Sequence, residues 1–338
     1  MSLIVSGSNC IKIWNFDSTT LNQCASATAG VEDILTARWN HTNQVVAAGT
    51  SDSNIHLLQG QTGQVLSTLS FQQSRIVGAV RSVSFSSNSR YLAGAVKNCV
   101  HIWDLKRRSI KVSLGQHRAD IDAVAFTTDG ALISGDDNGE LKIWDVNRGE
   151  CTSDLKRSGR SAAVRCVDVS AFGQIASGYG DGGFTMWDIM SGLGLCQYPS
   201  LHRGSLHSVA VSPKNPRLVT SAGEDGRINL IDTAAPISSG ASAFIDSGER
   251  IMSISFQENA IHSAVGTHSG NIIVYDWRNM ASPLIRLPAH SPFPVFVVSF
   301  QVYSAIVFFH VQDFFLVVSF LTICLLSISN QNKNKQGK

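Results

Sequence analysis

Residues 177–189 read SGYGDGGFTMWDI, and two readings of them lead to different proteins. Gly178, Gly180 and Gly183 satisfy the spelling G-x-G-x-x-G, which binds a dinucleotide when a strand precedes it, a helix comes after it and an acidic residue lies about 20 positions on. The glycines run instead into FTMWDI, with a β-branched residue and two aromatics, which is strand sequence. The segment therefore reads as two strands joined by a hairpin turn, with no phosphate site in it.

The same local pattern recurs along the chain. CIKIWN, NIHLLQ, VHIWDL, LKIWDV, FTMWDI, INLIDT and IIVYDW place Trp14, Leu58, Trp103, Trp144, Trp187, Ile231 and Tyr275 in one slot, at separations of 44, 45, 41, 43, 44 and 44 residues. A second ladder, LTARW, RSVSF, DAVAF, RCVDV, HSVAV, MSISF and FVVSF, ends at Trp39, Phe85, Phe126, Val169, Val211, Phe256 and Phe300 with the same period. Short apolar runs rich in Val, Ile and aromatics, bounded by Gly, Asn, Asp and Ser, are strands. SGDDNG, SGYGDGG, SAGEDG and GTHSG between them are hairpin turns in which Gly or Asn supplies positive φ.

Four strands in a period of about 43 residues is the signature of a propeller blade, and IWDL, IWDV and MWDI carry the dipeptide that marks the WD-repeat family. The expected fold is all-β: a seven-bladed WD-repeat β-propeller over residues 1–301. Residues 3–7, 11–15 and about 21–28 supply three strands of one blade, and residues 295–301 supply its missing first strand. A C-terminal strand joining three N-terminal ones closes the ring and hides its edges.

The chain has 338 residues, 43% apolar and 15% charged, which provides ample core. Residues 302–338 hold three lysines and one aspartate, so residues 1–301 carry 24 basic and 24 acidic side chains. A neutral body lacks the field that nonspecific nucleic-acid binding needs, so no nucleic-acid partner is expected. Seven cysteines, never spaced CxxC, read as reduced thiols of a cytoplasmic protein, and MSLIVSGSNCIKIW is neither a secretory nor a transit peptide.

Histidines 117, 202 and 290 precede first strands. In WD-repeat families such a His bonds a Ser or Thr of the second strand, which bonds the Trp indole, with an Asp in the next turn. His117, Ser134 and Trp144 match, with Asn138 in the Asp slot; Asp181 and Trp187 keep half the network in their blade; His202, Ser221 and Asp225 keep the other half in the next, where Ile231 replaces Trp. These groups satisfy one another and staple blades. No catalytic residue, cofactor site or metal site is expected, and the chain reads as no enzyme.

Arg75, Arg118, Arg160, Arg203 and Arg250 lie in loops that enter first strands and so share one face. They form a basic ring for an acidic protein partner. The opposing reading is a solvated face, because Asp52, Asp137, Asp181, Glu224 and Asp225 occupy turns on the same face and would compensate them.

Residues 302–338, VYSAIVFFHVQDFFLVVSFLTICLLSISNQNKNKQGK, are foreign in texture. Residues 314–328 approach the roughly 18–20 apolar residues that span a bilayer, but Asp313 interrupts the longer run, at about 2.5–3.5 kcal/mol for a central carboxylate. Three readings stay open. One is translation of a retained intron after the Gln-Val junction, the second a C-terminal membrane anchor, and the third an amphipathic partner-binding tail.

SGSNCIKIWNFDSTTL (6–21), KNCVHIWDLKRRSIKVSLGQHRADIDAVAF (97–126), LHRGSLHSVAVSPKNPRLVTSAGEDGRINLIDT (201–233) and GNIIVYDWRNMASPLIRLPAH (270–290) together resemble the GCP-WD family of adaptors. The resemblance covers residues 1–301. It implies a scaffold in the cytoplasm and on the cytoskeleton that localises γ-tubulin ring complexes to centrosomes and spindles for microtubule nucleation in mitosis. It also implies a complex-binding region after the ring, which this sequence does not contain. The alternatives are a generic WD scaffold of a ubiquitin ligase, trafficking or ribosome-assembly complex, and a membrane-tethered propeller.

Overall fold

A computed structural model describes residues 2–17, 19–27, 33–71, 77–235 and 240–301. Among them regular structure is entirely β: 28 strands in seven four-stranded antiparallel sheets. The innermost strands are Ile34–Trp39, Val80–Phe85, Ile121–Phe126, Val164–Val169, Leu206–Val211, Ile251–Phe256 and Val297–Phe300. Their last residues are the second ladder read from the sequence. Blades are numbered from the closing one, so that Ile34–Trp39 opens blade two and Ile251–Phe256 blade seven.

Blade one is built as the sequence predicts. Val297–Phe300 pairs antiparallel with Ser2–Gly7, which pairs with Ile11–Asp17, which pairs with Thr20–Ala27. Gln301 continues the joint: its backbone N–H donates to the Leu3 carbonyl at 3.0 Å, and its side-chain oxygen accepts the Leu3 N–H at 3.1 Å. Residues 302–338, and with them the intron, anchor and tail readings, lie outside the described residues. No helix among the described residues is long and apolar enough to cross a membrane.

The core is divided among the seven contacts between neighbouring blades, because alternate residues of each strand face opposite neighbours. In Ile11–Asp17, Trp14 and Phe16 pack toward blade seven with Ala264, Ile272 and Val274, while Ile11 and Ile13 pack toward blade two with Ile34 and Val46. Each fully buried Val, Leu, Ile or Phe contributes about 1.5–3 kcal/mol, so the closing joint is held like the other six. The Trp slot is buried in every blade, from Leu58 at 0% exposure to Trp103 at 6%.

Glycine sets how closely blades approach. A Cβ on Gly178 would stand 2.3 Å from Leu206 of blade six, and one on Gly135 would stand 2.4 Å from Val164 of blade five. The first glycine of the apparent dinucleotide loop is thus a blade contact. The left-handed residue of that turn is Gly182, at φ 80°, which lies outside the G-x-G-x-x-G triad.

Neighbouring inner strands are also joined by side chains lining the central channel. Ser82 and Ser84 accept the Val124 and Phe126 N–H groups, Asp168 accepts that of Val211 at 2.8 Å, Ser208 that of Ile254, and Ser255 that of Phe300. These bonds satisfy inner-strand N–H groups that no fifth strand pairs.

Candidate functional site

The loops entering the inner strands and the turns between second and third strands share one face, and bonds between them prove it. Asp137 N–H donates to the Asp120 carbonyl at 2.9 Å, Glu224 N–H to that of Ser205 at 2.9 Å, and His202 N–H to that of Gly182 at 3.0 Å.

Blade four holds a complete buried network. His117 Nδ1 lies 2.9 Å from Asp136 and its Nε2 lies 2.6 Å from Ser134 Oγ, which accepts the Trp144 indole N–H at 2.7 Å. The acid is Asp136, two residues after the serine. Asn138, which the sequence spacing places in that role, instead donates its backbone N–H to Asp136. In blade six the expected position is used: His202 bonds Asp225 at 2.9 Å and Ser221 at 2.8 Å, and Asn229 donates to His202 Nε2 at 3.0 Å where no Trp is present.

Blade five departs from its half-network. Trp187 donates to Ser177 at 2.9 Å and Ser177 donates to the Tyr179 hydroxyl, while Asp181 pairs with Arg157, whose guanidinium stacks 4.3 Å above the Tyr179 ring. Here the Tyr179 hydroxyl accepts from Ser177 where a His bonds the serine elsewhere, and Arg157 holds Asp181, so Asp181 and Trp187 are not directly joined. Blade one makes its network across the closure, with His290 and Trp14 each 2.8 Å from Ser6 and Cys10 Sγ 3.8 Å from His290 Nδ1. In blade three Gly94 stands opposite His101, where the serine belongs. Trp103 Nε1 therefore has no hydrogen-bond partner among the described residues, and its ring packs against Phe71.

Ser134, His117 and Asp136 have the hydrogen-bond order of a hydrolase triad. They are 0%, 3% and 0% exposed, and the Trp144 N–H already occupies Ser134 Oγ. His117, Asp136 and Glu140 also bring metal-type donor atoms within 4.8 Å, but Asp136 and Ser134 engage both His117 nitrogens. Burial raises all six described cysteine thiols above their ordinary value, Cys196 to about 11, which suppresses the nucleophilic thiolate.

The acids of this face are already engaged. Asp137 pairs with Arg165 at 2.9 Å, Asp181 with Arg157, Glu224 with Arg250 at 3.4 Å, and Asp225 with His202; Asp52 accepts from Thr50 and Asn54. Of the five arginines singled out in the sequence, Arg250 is thus compensated, and Arg75 lies outside the described residues. Arg118, Arg160 and Arg203 are exposed and form no side-chain ion pair among the described residues. The compensation expected from the charge count falls instead on Arg157 and Arg165, which sequence reading did not single out.

Sequence reading also missed the mouth of the channel. Six inner strands carry a β-bulge after their first residue, and the extra residue is Leu35, Arg81, Asp122, Arg165, His207 or Met252. A bulge re-aims a side chain. Leu35, Asp122, Arg165, His207 and Met252 line the mouth with Phe296, around a cavity of about 110 Å³. Asp122 bridges Arg81 at 2.5 Å and Arg165. At the bulge positions blades three to six thus carry Arg81, Asp122, Arg165 and His207 and blades seven and two carry Met252 and Leu35, while Arg38 of blade two also lines the cavity.

Comparison with known proteins agrees with this architecture. The WD domain, G-beta repeat model matches residues 63–104 and 108–145, and the Nucleolar protein 10-like, N-terminal domain model matches residues 195–313. The chain is 26% identical to human Protein NEDD1 over 284 residues, 83% of this chain and 42% of that protein. It is 23% identical to Protein tipD of Dictyostelium discoideum over 77% of this chain and 42% of that protein. It thus spans about two-fifths of the length of these curated relatives. With its repeats, its ring and these matches, the chain is a seven-bladed WD-repeat β-propeller.

Proposed function

We propose that the ring is a non-enzymatic adaptor that localises γ-tubulin ring complexes to centrosomes and spindles for microtubule nucleation in mitosis. The observation that carries this reading is the extent of the NEDD1 match. It covers 83% of the chain, as a shared domain does, whereas the repeat model matches two segments only. The resemblance of the blades to the GCP-WD adaptors supports the same role. The targeting part of that role falls to the ring, and complex binding falls to a region beyond it. The buried Ser–His–Asp sets support a scaffold, since their polar groups are used up inside the blades.

Tagged full-length chain and tagged residues 1–301, tracked through mitosis, test this. Enrichment of both at spindle poles is the expected result, and a diffuse signal from both overturns it. A scaffold of a different complex is the second reading, favoured by the Nucleolar protein 10-like match over residues 195–313. Co-purification of other machinery without γ-tubulin would select it.

A further inference from the structure

The turns after the inner strands and the turns after the third strands make the face opposite the loops that enter the inner strands. Gly60 N–H donates to the Gln44 carbonyl at 2.8 Å and Leu105 N–H to that of Arg90 at 3.0 Å, and His41 N–H joins blades two and three by donating to Ser89 Oγ at 3.3 Å. Between these two blades lies a groove of about 250 Å³. Six of the ten described residues that line it are apolar: Val45, Leu57, Leu66, Leu69, Phe85 and Leu105. Leu66 is 52% exposed, while Leu69 and Phe85 belong to the core between the blades.

Arg108 is the charged member of that lining. Gly63, Gly149 and Gly192 hold the equivalent turn position in blades two, four and five, at φ 69°, 72° and 67°, whereas Arg108 holds it at φ 53°. A side chain is strained there and glycine is not. Strain that a glycine would relieve points to a use for the side chain. Lys106 and Arg107 of the same turn are exposed, and none of the three cations forms a side-chain ion pair among the described residues. The four turns around the groove, residues 40–44, 59–64, 86–90 and 104–109, contain one acid, Asp104. Its side chain is buried and accepts from Arg90 and from the Lys106 and Arg107 backbone N–H groups.

We infer that this groove binds an acidic protein segment carrying an aliphatic or aromatic anchor. The anchor enters between Leu57, Leu66 and Leu105, and the carboxylates of the segment meet Lys106, Arg107 and Arg108 at the rim. Nucleic acid suits the groove less, because unpaired bases stack on aromatic side chains and Phe85, the aromatic residue of the lining, is buried. An anionic membrane also suits it less, because interfacial anchoring needs apolar side chains that project, and these wall a recess. The groove shares no residue with the channel mouth. The inference goes beyond the adaptor reading and requires no particular partner.

The test is a random dodecapeptide display library, depleted on the immobilised Leu66→Asp variant and then selected on the immobilised full-length chain, with fluorescence anisotropy of the enriched peptides. Enriched sequences are expected to be acidic and to carry Leu, Ile, Met or Phe. Lys106→Glu/Arg107→Glu is expected to bind them about tenfold more weakly and with a flatter salt dependence, and Leu66→Ser to weaken them without altering that dependence. Arg108→Gly relieves the left-handed turn, so it should bind more weakly while melting no lower than the parent, a combination that a purely structural role for Arg108 does not give. The substituted side chains are exposed, so each variant keeps the circular dichroism of the parent. No enrichment after depletion, enrichment of neutral or basic peptides, or undiminished binding to Lys106→Glu/Arg107→Glu overturns the inference. Tighter binding of a labelled oligonucleotide or of phosphatidylserine–phosphatidylcholine vesicles overturns it too, as does dimerisation of the chain that Leu66→Asp abolishes. No γ-tubulin complex enters these measurements, so their failure removes the groove as a docking site and leaves the adaptor reading to the localisation experiment.

Discussion

Ser134→Ala and Ser221→Ala remove the same atom from equivalent places in blades four and six, yet the structure predicts unequal costs. Both serines are fully buried. Loss of Ser134 Oγ strands the Trp144 indole N–H and leaves His117 Nε2 without its donor. Two orphaned buried groups at about 1–3 kcal/mol each give about 2–6 kcal/mol. Loss of Ser221 Oγ strands neither, because Asn229 still donates to His202 Nε2 and the Trp position is Ile231. What remains is the net worth of one hydrogen bond, about 0.5–1.5 kcal/mol. At about 2 °C per kcal/mol for a domain of this size, thermal melts should fall by about 4–12 °C for Ser134→Ala and about 1–3 °C for Ser221→Ala. Equal shifts, or a larger one for Ser221→Ala, would refute the account of what each serine satisfies.

Acid should weaken the ring between pH 6.5 and about 4. His101 and His290 are held neutral by burial, His290 also by Lys12, and both titrate at about 4 when folded; below 6.5 the unfolded chain takes protons that the folded chain refuses, so stability falls as pH falls. His101→Gln should flatten the dependence of the denaturant midpoint on pH across that window, and an unchanged slope would remove His101 from the account. Gly178→Ala should destabilise by about 1–3 kcal/mol through its clash with Leu206. Gly180→Ala, whose nearest neighbour would stand 3.5 Å away, should melt like the parent; a phosphate loop would make both glycines matter, and neither should alter dinucleotide binding in a fluorescence titration. Burial raises the pKa of Asp168, partly offset by Arg38, so Asp168→Asn, which keeps an acceptor for the Val211 N–H, should raise the melting temperature at pH 7, while Asp168→Ala should lower it.

The ring was legible because its signal is periodic. Trp14, Trp103, Trp144 and Trp187 recur in strands whose alternation must serve two neighbouring blades at once, and VFVVSF at the C-terminus had the composition of the one strand missing from the N-terminus. The networks were legible only in part. An Asp reaches the His Nδ1 from four residues after the serine, as Asp225 does, or from two, as Asp136 does. Spacing alone selected Asn138 over Asp136, although SGDDNG offers both positions. The channel mouth gave no signal, since a bulge adds no residue type of its own and Arg81, Asp122 and Arg165 sit where ordinary alternation runs.

Charge is where the sequence misled most. Counting 24 basic against 24 acidic side chains averages over a ring in which each side chain meets only its own and adjacent blades. Asp137 neutralises Arg165 and Glu224 neutralises Arg250 because the turns bearing them abut those arginines. Arg118, Arg160 and Arg203 find no such neighbour among the described residues, so neutrality of the total and an unpaired basic arc coexist. The polar residues of the face consequently divide by partner. His117, Ser134, Asp136, His202, Ser221 and Asp225 are satisfied by partners inside the blades, and substituting them should move the melting temperature. Arg118, Arg160 and Arg203 are exposed and meet no acid among the described residues, and substituting them should leave the melting temperature unchanged. A variant of Arg118, Arg160 or Arg203 that melted several degrees lower would show that these side chains hold the blades together, and this division by partner would fall with it.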